Sequence, residues 1–148
     1  MAIAVKNSRS GFSLMELMIV IVIIGILGGV LAPALNNALK RARKGTAKAT
    51  MSQIKVGITR FQSELGRYPT ALKDLIKRPK TGEERVTKKW DGPYIGEEGI
   101  EEVPEDPWGN KFHYKVNPQG TKRPYELLSY GPNGKGSPKE EWISVWDE

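Results

Sequence analysis

The chain has 148 residues, no cysteine, one histidine and a formal net charge of +6. That size supports one domain plus a membrane-length apolar segment, and without thiols no disulfide can staple what is left as a small core. A nucleophile–base pair would need a serine beside His113, and nucleophile-elbow, phosphate-loop and zinc spacings are all missing. The sequence therefore offers no enzyme.

Only Lys6 and Arg9 are charged ahead of a twenty-residue apolar run, residues 12–31, whose single charge is Glu16. The run is long enough to span a bilayer. A carboxylate near its core costs roughly 2.5–3.5 kcal/mol on insertion scales, so Glu16 is expected to have a function and a partner. A cut after Gly11 would supply one: the new amino terminus at Phe12 lies four residues before Glu16. That cation and that anion would pair within one subunit or between neighbours. An ordinary secretory signal, with Ala32-Pro33-Ala34 as its cleavage triplet, fits less well. The run is too long, contains Glu16 and has proline inside the site. A plain anchor fits the length but leaves Glu16 and the Gly11-Phe12 junction unexplained. Gly25 and Gly29 match the G-x-x-x-G spacing for close helix packing, although bending near Pro33 explains these glycines equally well.

A short basic leader, Gly11, Phe12, the hydroxyl residue Ser13, two apolar residues, Glu16 and a long apolar helix together resemble the amino-terminal signal of type IV pilins and type II secretion pseudopilins. The resemblance implies a prepilin peptidase cutting between Gly11 and Phe12, methylation of the new amine of Phe12, and a role for Glu16 in aligning an incoming subunit during assembly.

Residues 36–60 carry Lys40, Arg41, Arg43, Lys44, Lys48, Lys55 and Arg60 with no acid, whereas residues 61–148 hold fourteen bases against sixteen acids. Nucleic-acid binding is not expected, because the basic stretch lacks interleaved aromatics and a known motif. A solvated helix face, or contact with acidic neighbours and lipid headgroups, suits it better. Ala47, Met51, Ile54, Ile58, Phe61 and Leu65 recur at helical spacing, and Gly66 is placed to end the helix. An unbroken helix from Phe12 to Leu65 would reach ~80 Å. Pro33 and the group Gly25, Gly28, Gly29 predict an interruption by bending or melting. The apolar stripe needs a cover, and a small sheet from the remaining chain is the expected one.

Beyond Gly66, prolines and glycines punctuate short apolar pieces. The pattern predicts a short helix over residues 71–76 capped by Thr70, and sparse structure over 77–105. It also predicts strands over 111–116 and 125–130 joined by a turn at Asn117-Pro118-Gln119-Gly120, and a last strand over 142–146. Glu97, Glu98, Glu101, Glu102, Glu105 and Asp106 form an acidic cluster with no base among them. Paired with the basic helix face, this cluster suggests an electrostatic contact between subunits. Asp106-Pro107-Trp108-Gly109 reads as a turn with a packed tryptophan, and Trp90, Trp142 and Trp146 likewise read as packing residues. His113 reads as a structural or surface residue.

Gly66-Arg67-Tyr68-Pro69-Thr70, residues 104–110 (Pro-Glu-Asp-Pro-Trp-Gly-Asn), Tyr114, residues 129–134 (Ser-Tyr-Gly-Pro-Asn-Gly) and the tryptophan-bearing end follow the order seen in major pseudopilins of type II secretion. The resemblance covers nearly the whole chain. It implies calcium in the loop of residues 129–142, with Asn133, Glu140 and Glu141 as side-chain ligands, Tyr130 and Lys135 as carbonyl ligands and Ser137 as a further candidate. Asn133 stands where the family usually has aspartate, which lowers the anionic charge available to the ion. A glycine-rich turn held by hydrogen bonds and Trp142 is the competing account.

The expected architecture is α+β and pilin-like: a long amino-terminal helix, transmembrane then amphipathic, packed on a small antiparallel sheet. Its parts are a leader at 1–11, a transmembrane and assembly helix at 12–35, an amphipathic helix at 36–66 and a loop-rich region with the sheet at 67–148. The resemblance implies a major pseudopilin that polymerises with itself. Its implied partners are minor pseudopilins, prepilin peptidase, an inner-membrane assembly platform and the lipid bilayer. The helix would sit in the bacterial inner membrane and the domain in the periplasm. A type IV pilin of a surface filament and a membrane-anchored binding module that never polymerises are the alternatives.

Overall fold

The computed structural model describes residues 11–80, 84–96 and 99–147. The leader lies outside them apart from Gly11, as do Glu97 and Glu98 of the acidic cluster. By packing, the chain separates into a unit ending at Lys40 and a unit running from Arg41.

Helix α1 spans Leu14–Leu65. Its start is fixed by a reciprocal pair: the Ser13 amide donates to Glu16 Oε2 at 2.9 Å and the Glu16 amide donates to Ser13 Oγ at 3.2 Å. This is a capping box, in which two amides left free at a helix start are each satisfied by the other residue's side chain. At the other end, Gly66 adopts φ +72° and its amide donates to the Gln62 carbonyl at 2.8 Å. Left-handed backbone of this kind favours glycine and closes the last turn. The helix does not melt where an interruption is expected: the backbone stays helical through Gly25, Gly28, Gly29 and Pro33. Proline removes the bond its own nitrogen would have donated to the Gly29 carbonyl and sets its ring against that carbonyl, but the turns on either side keep the chain helical.

In the first unit the apolar side chains point outward all round the helix. Phe12 is 83% exposed and even Val20, midway along, is 47% exposed. In the second unit the stripe is buried. Ala47, Met51, Ile54, Ile58 and Phe61 are each at most 1% exposed, and Leu65 packs at the margin. Leu72, Leu75, Tyr94, Ile95, Phe112, Tyr125, Leu127 and Ile143 complete this core. At Gly57 the packing is close: an added Cβ would meet Ile95 Cγ2 and would lie 2.9 Å from the Tyr94 carbonyl oxygen.

After α1 comes a 3₁₀ turn, Leu72–Leu75. Its cap is Ala71 and not Thr70, because the Asp74 carboxylate reaches back to accept from both the Thr70 and Ala71 amides, at 2.9 and 3.0 Å. Residues 77–105 are less bare than expected, since a six-residue helix α2 forms at Glu84–Lys89 with Val86 buried. The sheet has three antiparallel strands in the order β1-β2-β3: His113–Val116, Tyr125–Ser129 and Ile143–Ser144. The hairpin register sets His113 opposite Leu128 and Val116 opposite Tyr125, around the turn read from the sequence. β2 alternates buried Tyr125, Leu127 and Ser129 with outward Glu126 and Leu128, the period-two pattern of a half-buried strand. β3 keeps only two residues of the five expected, because the chain on either side turns into short loops.

Candidate functional site

The opening turn of α1 carries the residues singled out from the sequence. Phe12, Ser13 and Glu16 are all exposed. The capping box holds the Glu16 carboxylate in the first turn, where the positive end of the helix dipole also favours an anion. Ser13 and Glu16 both lie beyond the Gly11-Phe12 junction, so cleavage there leaves the capping box intact. Ser13 is thus more than the hydroxyl position of the amino-terminal signal. The S-x-x-E spacing that reveals its capping role was legible.

The second site is the loop between β2 and β3. Two 3₁₀ turns, Gly134–Gly136 and Lys139–Glu141, shape it. The Asn133 amide donates to Ser137 Oγ at 2.9 Å, and the Trp142 indole donates to the Ser137 carbonyl at 3.0 Å. Trp142 also packs edge-on against Tyr130, with ring centroids 4.9 Å apart. Ser137, the lesser metal candidate, is thus a buried fastener of the loop. Asn133 and Glu140 are exposed, and Glu141 is half-buried with Oε2 buried and unpartnered among the described residues. The carbonyls of Gly131, Asn133, Gly134, Ser137 and Pro138 accept hydrogen bonds that close the loop, whereas those of Tyr130 and Lys135 accept none of these. No group of three or more His, Cys, Asp or Glu suited to a metal ion forms among the described residues.

A polar clamp that the sequence reading missed anchors this loop from below. Asp106, 4% exposed, accepts through Oδ1 from the amides of Trp108 and Asn110 at 3.1 and 2.8 Å. Through Oδ2 it accepts from the hydroxyl of buried Ser129 at 2.6 Å. Ser129 Oγ in turn accepts from the Gly131 amide at 3.1 Å, and Asn110 Nδ2 donates to the Gly131 carbonyl at 3.1 Å. Gly131, at φ +84°, brings its backbone so close to Glu141 that a Cβ would lie 3.0 Å from the Glu141 carbonyl oxygen. The Asp-Pro-Trp-Gly element is therefore the seat of the loop as well as a turn.

The four tryptophans act as packing residues. Trp90, Trp108 and Trp146 border the core, and the indoles of Trp90 and Trp146 donate to the Asp74 and Tyr125 carbonyls, both at 2.9 Å. His113 Nε2 lies 3.6 Å from Glu126 Oε2, and its ring lies 5.6 Å from that of Tyr130, on the strand as a surface-lining residue.

A long amino-terminal helix whose second part packs on a small antiparallel sheet defines the pilin-like class. The crystal structure of the major pseudopilin from the type 2 secretion system of enterohaemorrhagic Escherichia coli shares this fold. Its TM-score is 0.55 at 19% identity, over 78% of this chain and 96% of that one. In sequence, residues 34–146 match the family described as type II secretion system (T2SS), protein G, and residues 6–32 match the prokaryotic N-terminal methylation motif. The type II secretion system core protein G of Pseudomonas aeruginosa is 33% identical, over 96% of this chain and 98% of its own length. The Escherichia coli K12 protein of the same name is 32% identical over 95% and 92%. The chain belongs to the type II secretion system protein G family, the major pseudopilins. That places it with secretion subunits and not with surface pilins.

Proposed function

We propose that this chain is cut between Gly11 and Phe12, methylated on the Phe12 amine, and polymerised with copies of itself into a periplasmic filament. Until assembly, the first part of α1 holds it in the inner membrane with the Arg41-to-Asp147 domain on the periplasmic side. The observation that carries this reading is a helix start where Glu16 is held exposed among outward apolar side chains. Lipid is as apolar as a neighbouring helix, so apolar burial alone does not drive the transfer. Pairing of the Glu16 carboxylate with a cation supplies direction, and the amine of Phe12 on another copy is the nearest in kind. Minor pseudopilins, the peptidase and an inner-membrane platform are the partners this process requires.

The capping box makes a clean test available. Glu16→Gln keeps a side chain that can bond the Ser13 amide but removes the charge, whereas Glu16→Ala removes both. Both variants are expected to be processed normally and to yield no sheared filaments. Filament yield equal to the parent from Glu16→Gln would reduce Glu16 to a capping residue.

The calcium reading of the loop rests on the unpartnered Glu141 Oε2 and on the Tyr130 and Lys135 carbonyls left out of its closing bonds. With Asn133 and Glu140 these atoms supply oxygen donors of the kind calcium takes. Bound calcium would neutralise the buried Glu141 oxygen and tie the two 3₁₀ turns together. Adding chelator is expected to lower the melting temperature of the parent domain and to leave Glu141→Gln unchanged. No shift in the parent removes the metal from this account.

A further inference from the structure

The basic and acidic surfaces of the second unit lie on opposite flanks of α1. Lys55 and Gly57 are two residues apart, which is about 200° around a helix of 3.6 residues per turn. Lys55 Nζ sits 4.4 Å over the ring of Trp146, so the carboxyl-terminal segment covers the flank of Lys55. Gly57 faces the Tyr94 carbonyl and Ile95, so those two residues cover the other flank. Arg41, Lys44 and Lys48 recur with Lys55 at helical spacing along the first flank. All three are exposed, and none forms an ion pair among the described residues.

On the second flank lies a groove of about 680 Å³ lined by Gln53, Val56, Ile95, Ile100, Glu102 and Pro104. Val56 is 60% and Ile100 39% exposed, so apolar surface lies open at the floor. Glu102 lines the groove, and Glu101 and Glu105 on the same segment are exposed, again with no ion pair among the described residues. Glu102 also borders a second hollow carrying Lys73 and Lys111.

We propose that the Arg41, Lys44 and Lys48 flank of one copy docks on the Val56–Ile100 groove of the next, its cations meeting Glu101, Glu102 and Glu105. The occupant is a second copy because one molecule carries both complementary surfaces and its own helix separates them. A contact between two different patches is heterologous. It leaves a free patch at each end and so propagates into an open filament instead of closing as a dimer. Charge complementarity fixes the register of such a contact. The inference rests on the filament reading above and adds which surfaces meet.

The chain has no cysteine of its own, so engineered pairs report cleanly. Full-length chain carrying both Lys44→Cys and Glu102→Cys, expressed in its secreting host and treated with a short thiol cross-linker, is expected to give a ladder of dimers, trimers and longer species. Single variants co-expressed with each other should stop at dimers. Filaments that form but cross-link only 44 to 44 or 102 to 102, or not at all, overturn the docking surface while leaving the filament reading intact. Failure of the parent chain to polymerise overturns both. Separately, Arg41→Glu with Lys44→Glu should cut filament yield about tenfold, and adding Glu101→Lys with Glu102→Lys should restore it. If yield stays low after that second reversal while the first releases the protein from anionic vesicles, the basic flank belongs to lipid headgroups and the proposal falls.

Discussion

Asp106 illustrates how little a side chain's type says about its partners. Aspartate before proline reads as a turn, and it is one, but the carboxylate is also buried and accepts three hydrogen bonds, one from the Ser129 hydroxyl at 2.6 Å. That link joins residues 23 apart in sequence, a distance at which no local pattern carries information. Hydrogen bonds to a charged group each contribute ~1.5–3 kcal/mol, and a buried donor left unpaired costs its own desolvation. Asp106→Ala is therefore expected to lower the unfolding free energy of the domain by about 3 kcal/mol, read from urea denaturation of a fragment starting at residue 36. Every core residue lies beyond Arg41, so this fragment retains the whole core. Ser129→Ala, which leaves the two amide bonds of Asp106 in place, should cost roughly half as much.

The stripe from Ala47 to Phe61 was legible because helical periodicity is repeated along it, and burial below 2% at five positions bears it out. α2 was not, because a helix of six residues with one buried apolar side chain contains no period to detect. Pro33 does not melt α1, since one missing donor does not unravel a helix that is intact on both sides. Gly57 is a position where propensity and packing disagree. Alanine favours helix over glycine by ~1 kcal/mol, yet its Cβ would collide with Ile95 and press on the Tyr94 carbonyl oxygen. Backbone cannot step aside as a side-chain tip can. Gly57→Ala is expected to destabilise the fragment by ~1–3 kcal/mol, the usual cost of overpacking. A more stable variant would mean that the 94–95 loop is held loosely.

Tyrosines tie the domain together across long sequence distances. Tyr94 donates to Glu64 Oε2 at 2.6 Å, Tyr114 donates to the Pro69 carbonyl at 2.9 Å, and Tyr125 is ringed by Tyr68, Tyr114 and Trp146. Burial is the leading cause that pushes the phenol of Tyr94 up to about 12, helped by its bond to Glu64, and that of Tyr125 also to about 12. Burial raises Tyr114 as well. A raised phenol favours the protonated form in the fold. Its contribution to stability is whole below the unfolded value near 10 and is lost as pH climbs through about 12. The ultraviolet titration of tyrosinate should show these three ionising late, together with unfolding. Three late phenols that instead titrate reversibly near pH 10 would mean the ring cluster is open to water.

The sequence by itself determined the membrane-length helix, the Gly11-Phe12-Glu16 junction, the amphipathic stripe, the hairpin and the family, because each is written in local spacing. Tertiary structure alone decided that Asp106 seats the 129–142 loop, that Ser137 fastens it, that Glu141 Oε2 is unpartnered among the described residues, and that basic and acidic flanks face apart across one helix. Those outcomes depend on where distant segments meet in space, which a one-dimensional pattern does not encode.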